Sequence, residues 1–287
     1  KVSDNAENTN KTGNIGVIVP EQYYEYSVSF YGQLYKKVVK ALYKYDYYGI
    51  LELLTDENEK EKKLPKILKD EKVDGLILLG QMDEEYINAI VNQNKLPVFF
   101  IDTYNSLMTF DTVISDGYYA TYMLTNYLIR QGHTNIAFVG SVDATSSIAD
   151  RFWGYRRALR ENHIVYNEAW EIPDRDEKGN TFNAIIEEPG DIDAFVCNCD
   201  FIAHIVIQNL ESRGYKVPQD VSVVGFDNFL PLGMGENRIT SYEVNIEQMA
   251  DLCVKSLIKK MNGKKYNKGV QVVTGKIIYR NTVAPKR

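Results

Sequence analysis

The chain has 287 residues, 44% hydrophobic and 25% charged, with a formal net charge of −6. That length exceeds one ordinary core and suits two compact α/β units, and no run approaches the roughly 18 apolar residues of a membrane span. An acidic chain lacks the basic field that nucleic acid requires, so alone it is expected to bind DNA poorly.

Residues 1–12 are polar and read as a loose lead-in or linker remnant. Residues 14–19 form a buried strand closed by Pro20. After a tyrosine-rich loop at 21–29, an amphipathic helix runs to about residue 45, with Leu34, Val38, Leu42 and Tyr45 on one stripe. A strand at 49–54 leads to a charged helix over 57–70 that Pro65 must kink or split. Then come a strand at 73–80, a helix at 83–92 and a strand at 98–102. This βαβαβαβ order marks a parallel sheet covered on both faces.

The pattern restarts with a short strand at 112–115 and a helix at 117–131, which Gly132 ends with His133 beside it. A strand at 135–140, a helix at 147–162, a strand at 169–172 and a helix at 182–188 follow. Next are a strand at 194–199, a helix at 201–213 stopped by Gly214, and a strand at 221–226. A helix over 246–261 and a strand pair, or one long strand, over 269–280 are too little for a third domain and must return to complete the sheets. The expected architecture is α/β, two doubly wound parallel-sheet subdomains with several crossovers: 13–114 plus 245–268, and 115–244 plus 269–287. Lobes joined in this way predict a ligand cleft between them.

The most informative stretch is Val221-Ser-Val-Val-Gly-Phe-Asp-Asn228. A short buried strand runs into Gly225, expected to turn the backbone, and delivers Asp227 and Asn228 past its carboxyl end, where ligands of open α/β sheets sit. The same kind of position is offered by Phe30, Tyr31, Gln81 and Asp102 in the first half, and by Arg151, Cys199 and Asp200 in the second. Each has a plainer role beside the functional one. Asp227 alone would be a turn cap, Asp200 the N-cap of the helix at 201–213, and Cys199 a small buried hydrophobe. Most of the nine tyrosines from Tyr23 to Tyr48 would be helix core or subunit interface. Arg151 precedes Phe152-Trp-Gly-Tyr155 at the start of an apolar helix segment, which favours a positioned guanidinium.

No Ser-His-Asp, Gly-x-Ser-x-Gly or Gly-x-x-x-x-Gly-Lys pattern is present, so no catalytic residue and no cofactor is expected. Cys197 and Cys199 alternate across the expected strand and cannot chelate one metal, and with three histidines in the chain no metal site is expected. Two carboxylates could hydrolyse a glycoside, but Arg151 would hold both as plain anions. Reversible binding fits better. Carboxylates and a guanidinium fork engage vicinal hydroxyls, and aromatic rings cover the C–H face of a sugar; a purine or another small polar molecule would be served by the same groups.

Four stretches resemble the LacI/GalR transcription regulators, specifically their effector-binding core. They are Lys11-Thr-Gly-Asn-Ile-Gly-Val-Ile-Val-Pro20, Leu128-Ile-Arg-Gln-Gly-His-Thr-Asn-Ile-Ala-Phe-Val-Gly140, Arg151-Phe-Trp-Gly-Tyr155 and Val217-Pro-Gln-Asp-Val-Ser-Val-Val-Gly-Phe-Asp227. The resemblance covers about 13–283. It implies a periplasmic-binding-protein-like type I fold, a homodimer and a small-molecule effector, a carbohydrate, in the interlobe cleft. It also implies a cytoplasmic location, and operator DNA reached only through an N-terminal helix-turn-helix headpiece that residues 1–12 cannot hold. The chain is thus expected to be a truncated effector core. Arg151 and Asp227 match the principal effector-binding pair, Asp102 a first-lobe carboxylate, and Phe30 and Tyr31 paired ligand-touching positions. There are departures: Cys199-Asp200 replaces the usual Asn-Asp, and 174–178 lacks an aromatic often found there. The alternative reading is an extracytoplasmic sugar-binding protein of an ABC transporter, which shares the fold.

Overall fold

The computed structural model describes residues 11–24, 29–93, 95–104, 110–175, 188–231, 233–234 and 237–286. The chain divides into two compact units, Lys1–Ile114 with Ile246–Gln271, and Ser115–Asn245 with Val272–Arg287.

In the first unit β1 (Asn14–Pro20) leads through α1 (Phe30–Tyr43) to β2 (Tyr48–Leu54). Two short helices, α2 (Asp56–Lys60) and α3 (Lys66–Lys69), precede β3 (Gly75–Leu79), α4 (Glu84–Gln93), β4 (Val98–Ile101) and β5 (Thr112–Ser115). The second unit contains α5 (Gly117–Arg130), β6 (Ile136–Val139), α6 (Ser146–Glu161), β7 (Glu171–Ile172), β8 (Ala194–Cys197), α7 (Asp200–Ser212), β9 (Ser222–Asp227) and β10 (Thr240–Glu243). The chain ends with α8 (Ile246–Met261), β11 (Val270–Val273) and β12 (Lys276–Ile278).

The first sheet has the order β11-β5-β4-β3-β1-β2 and the second β12-β10-β9-β8-β6-β7. Continuous apolar runs make the central strands. In β3 and β4 every residue is buried, as expected where helices cover both faces of a parallel sheet. Val17 of β1 lies opposite Leu51 of β2 and Ile77 of β3, both in parallel register. In the second sheet Phe195 of β8 faces Ala137 and Val223, and α7 packs Ile202, Val206 and Leu210 on this layer. Each such side chain fully buried contributes about 1.5–3 kcal/mol.

Several local expectations are corrected. The charged segment at 57–70 is split: α2 ends at Lys60, and Pro65 (φ −53°) becomes the N-cap of α3, because a proline tolerates that position and not a helix interior. Gly225 does not turn the chain; it lies inside β9, and the turn is made by Asp227 and Asn228 at φ +87° and +56°. Residues 269–280 are neither one strand nor a hairpin, since β11 joins the first sheet while β12 pairs antiparallel with β10 in the second. β10 itself had no sequence signal: it carries buried Thr240 and Ser241 where an apolar alternation would announce a strand. The segment at 169–172 is mostly a 3₁₀ turn (Glu168–Trp170) before the two-residue β7. The helix expected over 182–188 lies almost wholly outside the described residues. Among the described residues no helix is long and apolar enough to cross a membrane.

Candidate functional site

In the second unit the carboxyl ends of β7, β8 and β9 gather a polar cluster. Asp227 and Asn228 are consecutive non-glycine residues in the left-handed region, a conformation that persists only where surroundings enforce it. Here the enforcement is visible. The Phe229 N–H donates to Asp227 Oδ1 at 2.9 Å, and the Asn228 N–H donates to Ser241 Oγ at 3.1 Å. Both ends of the Asn228 amide have protein partners, Nδ2 donating to Glu243 and Oδ1 accepting from Arg280. Asn228 therefore holds the turn that presents Asp227.

Asp200 is the first residue of α7 and wholly buried. It is not the N-cap; that position belongs to Cys199, whose thiol makes no cap bond. Asp200 Oδ2 accepts from Asn237 Nδ2 at 2.9 Å, and Oδ1 has no protein partner. A Cβ on Gly225 would stand 2.1 Å from that oxygen, so the glycine of the Val-Val-Gly-Phe-Asp run is there to make room for a carboxyl group. Burial pushes Asp200 up to about 7. Burial, followed by repulsion from Asp200, also raises Asp227 well above the ordinary carboxylate range; Arg151 pulls it down but does not win. Burial likewise raises the Cys199 thiol to about 12, so it stays protonated.

Arg151 projects from α6 with its stem against Gly117. Its Nη1 donates to the Asn198 carbonyl at 3.0 Å, and its guanidinium carbon lies 4.0 Å from the centre of the Phe226 ring. Its Nε is buried with no hydrogen-bond partner, and the same is true of Asn198 Oδ1.

The first unit assembles its own candidates. The Ser29 side chain caps α1 by accepting from the Gly32 N–H. This places Tyr31 in the first turn, where its hydroxyl donates to Asp102 Oδ2 at 2.8 Å. Tyr31 stacks on Tyr23 at 5.1 Å and meets Phe30 edge-on at 5.5 Å. Asp102, just past β4, has φ +61° and is buried. Beside it, Thr103 Oγ1 donates to Gln81 Oε1 at 3.0 Å. Gly80 (φ +85°) supplies a turn that brings the backbone to 3.0 Å, measured from an added Cβ, of the Tyr23 ring. All four first-unit candidates thus lie in one neighbourhood, and the five second-unit candidates in another.

The model of the periplasmic binding protein-like domain matches residues 125–283, more than half of the chain. The chain belongs to that family. The HTH-type transcriptional regulator RegA of Clostridium saccharobutylicum is 28% identical over 278 residues, spanning 96% of this chain and 82% of that protein. The solved complex of the transcriptional regulator CelR with cellobiose superposes with a TM-score of 0.83 at 21% identity, covering 95% of this chain and 85% of CelR. A LacI family transcriptional regulator from Enterococcus faecium with bound ribose gives 0.80 at 22%, covering 96% and 100%. The expected type I fold is the fold found, and the likeness to LacI-family regulators extends over nearly the whole chain.

Within this periplasmic binding protein-like chain, the structure adds residues that sequence reasoning missed. Asp174, wholly buried, accepts from the Ser141 N–H at 2.8 Å and from Asn198 Nδ2 at 2.6 Å. Arg175 stands beside it, with Nε 3.5 Å from Asp174 Oδ2. The signal available was position alone, since 174 and 175 directly follow a short strand. Among the described residues no group of three or more His, Cys, Asp and Glu is arranged to hold a metal.

Proposed function

We propose that the chain is the effector-sensing core of a LacI-type transcriptional regulator. It takes up a small polyhydroxylated molecule of the carbohydrate class, releases it unchanged, and by its occupancy governs DNA binding by a dimer of the full-length protein. Phe30, Tyr31, Gln81 and Asp102 of the first unit and Arg151, Cys199, Asp200 and Asp227 of the second serve the effector, with Asn228 holding Asp227 in place.

The observation that carries this reading is the set of unpartnered buried atoms in the second-unit cluster: two donors, Arg151 Nε and Arg175 Nε, and two oxygens, Asn198 Oδ1 and Asp200 Oδ1. Each costs about 1–3 kcal/mol if left unsatisfied, and a hydroxyl-bearing ligand both donates and accepts. The packed rings of Tyr23, Phe30 and Tyr31 are of the kind that covers a sugar's C–H face. Relatives of the same fold solved with cellobiose and ribose support the ligand class. Regulation follows from differential affinity: the effector moves the equilibrium only as far as it prefers one arrangement of the protein.

The test is thermal stabilisation by a panel of mono- and disaccharides. A ligand at 100 times its Kd adds about 2.7 kcal/mol to the wild-type chain, and Asp227→Ala and Arg151→Ala are expected to abolish that gain while remaining folded by circular dichroism. Full stabilisation of either variant would refute the site.

A further inference from the structure

We infer that Arg175 is a specificity-determining residue of the effector site, and that its guanidinium takes an oxyanion, a carboxylate or a phosphate, carried by the sugar. The inference rests on the effector-binding reading above and narrows its ligand.

Arg175 follows β7, with its backbone N–H donating to Ser141 Oγ at 3.0 Å. Its side chain is 18% exposed, and its Nε is buried without a hydrogen-bond partner. The obvious partner is Asp174, but that carboxylate is already engaged. Oδ1 accepts from the Ser141 N–H, and Oδ2 accepts from Asn198 Nδ2 at 2.6 Å. Arg175 therefore lies at ion-pair distance, 3.5 Å, with its directional N–H unspent. A buried guanidinium edge needs an acceptor, and a guanidinium can offer none in return. The ligand group that meets it must be an acceptor.

The neighbourhood favours a charged one. Arg175 is tied to the cluster through Asp174, which accepts from Asn198 Nδ2, while the Asn198 carbonyl accepts from Arg151. The thiol of Cys199 is protonated and is only a weak donor and a weak acceptor. The second guanidinium of the cluster, Arg151, also has an unpartnered Nε. An oxyanion suits such an edge, since charge-assisted bonds are roughly twice as strong as neutral ones. Three carboxyl groups oppose an anion here. Asp174 accepts from the Ser141 N–H and Asn198 Nδ2 and lies 3.5 Å from Arg175, while burial favours a proton on the Asp200 and Asp227 pair, which lowers the repulsion. The oxygens Asn198 Oδ1 and Asp200 Oδ1 are left for hydroxyls, which both donate and accept. A sugar acid or a sugar phosphate satisfies both kinds of group.

The experiment titrates the wild-type chain and Arg175→Gln, by calorimetry, with matched sets: a hexose, its uronic acid, its 6-phosphate, and inorganic phosphate as the smallest acidic probe. The wild type is expected to bind one acidic member at least roughly tenfold more tightly than the neutral hexose, with a preference that weakens as salt is raised. Arg175→Gln should remove that preference by costing the acidic member at least roughly tenfold more affinity than it costs the hexose; Arg175→Lys, which keeps the charge but not the planar fork, should restore part of it. Should Arg175→Gln not fold, the salt dependence and the Arg175→Lys variant decide the question. A tight carboxylate partner identifies a sugar acid, and a tight phosphate partner a sugar phosphate. Acidic members that bind no more tightly than the hexose, or a preference for them that survives Arg175→Gln, overturn this inference, while hexose binding that needs Asp227 leaves the effector reading intact. No binding by any member overturns both.

Discussion

Asp200 shows how much one side chain can be asked to carry. It is wholly buried, has one oxygen on Asn237 and is pushed up to about 7 by burial. For a carboxyl group whose folded value is raised, the stabilising contribution is full below the unfolded value near 4 and is lost as pH rises through the folded one. Wild-type stability should therefore decline between about pH 4 and pH 7 on this group's account. Asp200→Asn keeps an acceptor for Asn237 and cannot ionise. Its unfolding free energy relative to wild type should be higher at pH 8 than at pH 5, a difference on the order of 1–4 kcal/mol read from urea titrations; an equal offset at both pH values would refute the assignment. At this scale the positions of Asp227, Arg151 and Asp102 could be read in advance, because each stands at the edge of a recognisable strand or motif, where the structure also has it. The sequence did not disclose Asn198, Asp174 and Arg175. Their roles come from partners on other strands, 24 and 33 residues away, and no local pattern encodes such pairings.

The pair α5 and α6 shows the same relation between elements. Both helices were readable from the sequence, at 117–131 and 147–162, and both fall within a residue or two of the expected bounds. Their spacing was not readable. A Cβ at Gly154 would stand 2.0 Å from the Tyr118 carbonyl oxygen and 3.0 Å from the Tyr122 nitrogen, so the glycine of Arg-x-x-Gly-Tyr exists to let two backbones touch. Arg151, one turn earlier, packs its stem on Gly117 at the start of α5. Close helix approach and guanidinium position are therefore one geometric fact. In an open helix Gly→Ala would gain about 1 kcal/mol of propensity. Here the clash is with backbone, which cannot step aside, and overpacking of this kind typically costs about 1–3 kcal/mol. Gly154→Ala is expected to lower the melting temperature and to weaken effector binding together. A variant as stable as wild type with unchanged affinity would contradict the packing argument. Strands were legible where they are apolar throughout, as in β3 and β4, and illegible in β10, whose buried Thr240 bonds to the returning segment and whose buried Ser241 bonds to the turn after β9. Thr240 Oγ1 accepts from the Arg280 N–H, and the Asn228 N–H donates to Ser241 Oγ.

For the molecule as a whole, the late segments must be fastened to units that began far earlier in the chain, and one buried aspartate does this in each unit. In the first, Asp111 accepts from Lys260 Nζ, the Tyr266 hydroxyl and the Gly269 N–H, each at 2.8 Å. In the second, Asp193 meets His133 Nδ1 at 3.2 Å, accepts from the N–H groups of Thr134 and Asn135, and pairs with Lys286. Burial alone would raise both carboxyls, but their partners outweigh it and hold both below the ordinary range. For a depressed carboxyl the stabilising contribution is present above the unfolded value near 4 and is lost as pH falls through the folded one. Asp111→Asn and Asp193→Asn should each cost about 1.5–3 kcal/mol at pH 7. The two clamps share no partner, so in urea titrations followed by circular dichroism the double variant should equal the sum of the singles within about 0.5 kcal/mol. Repeating the titrations near pH 3 should shrink every deficit, because the wild-type carboxyls then approach protonation. Deficits that persist undiminished in acid would show that these aspartates act through shape and not through charge.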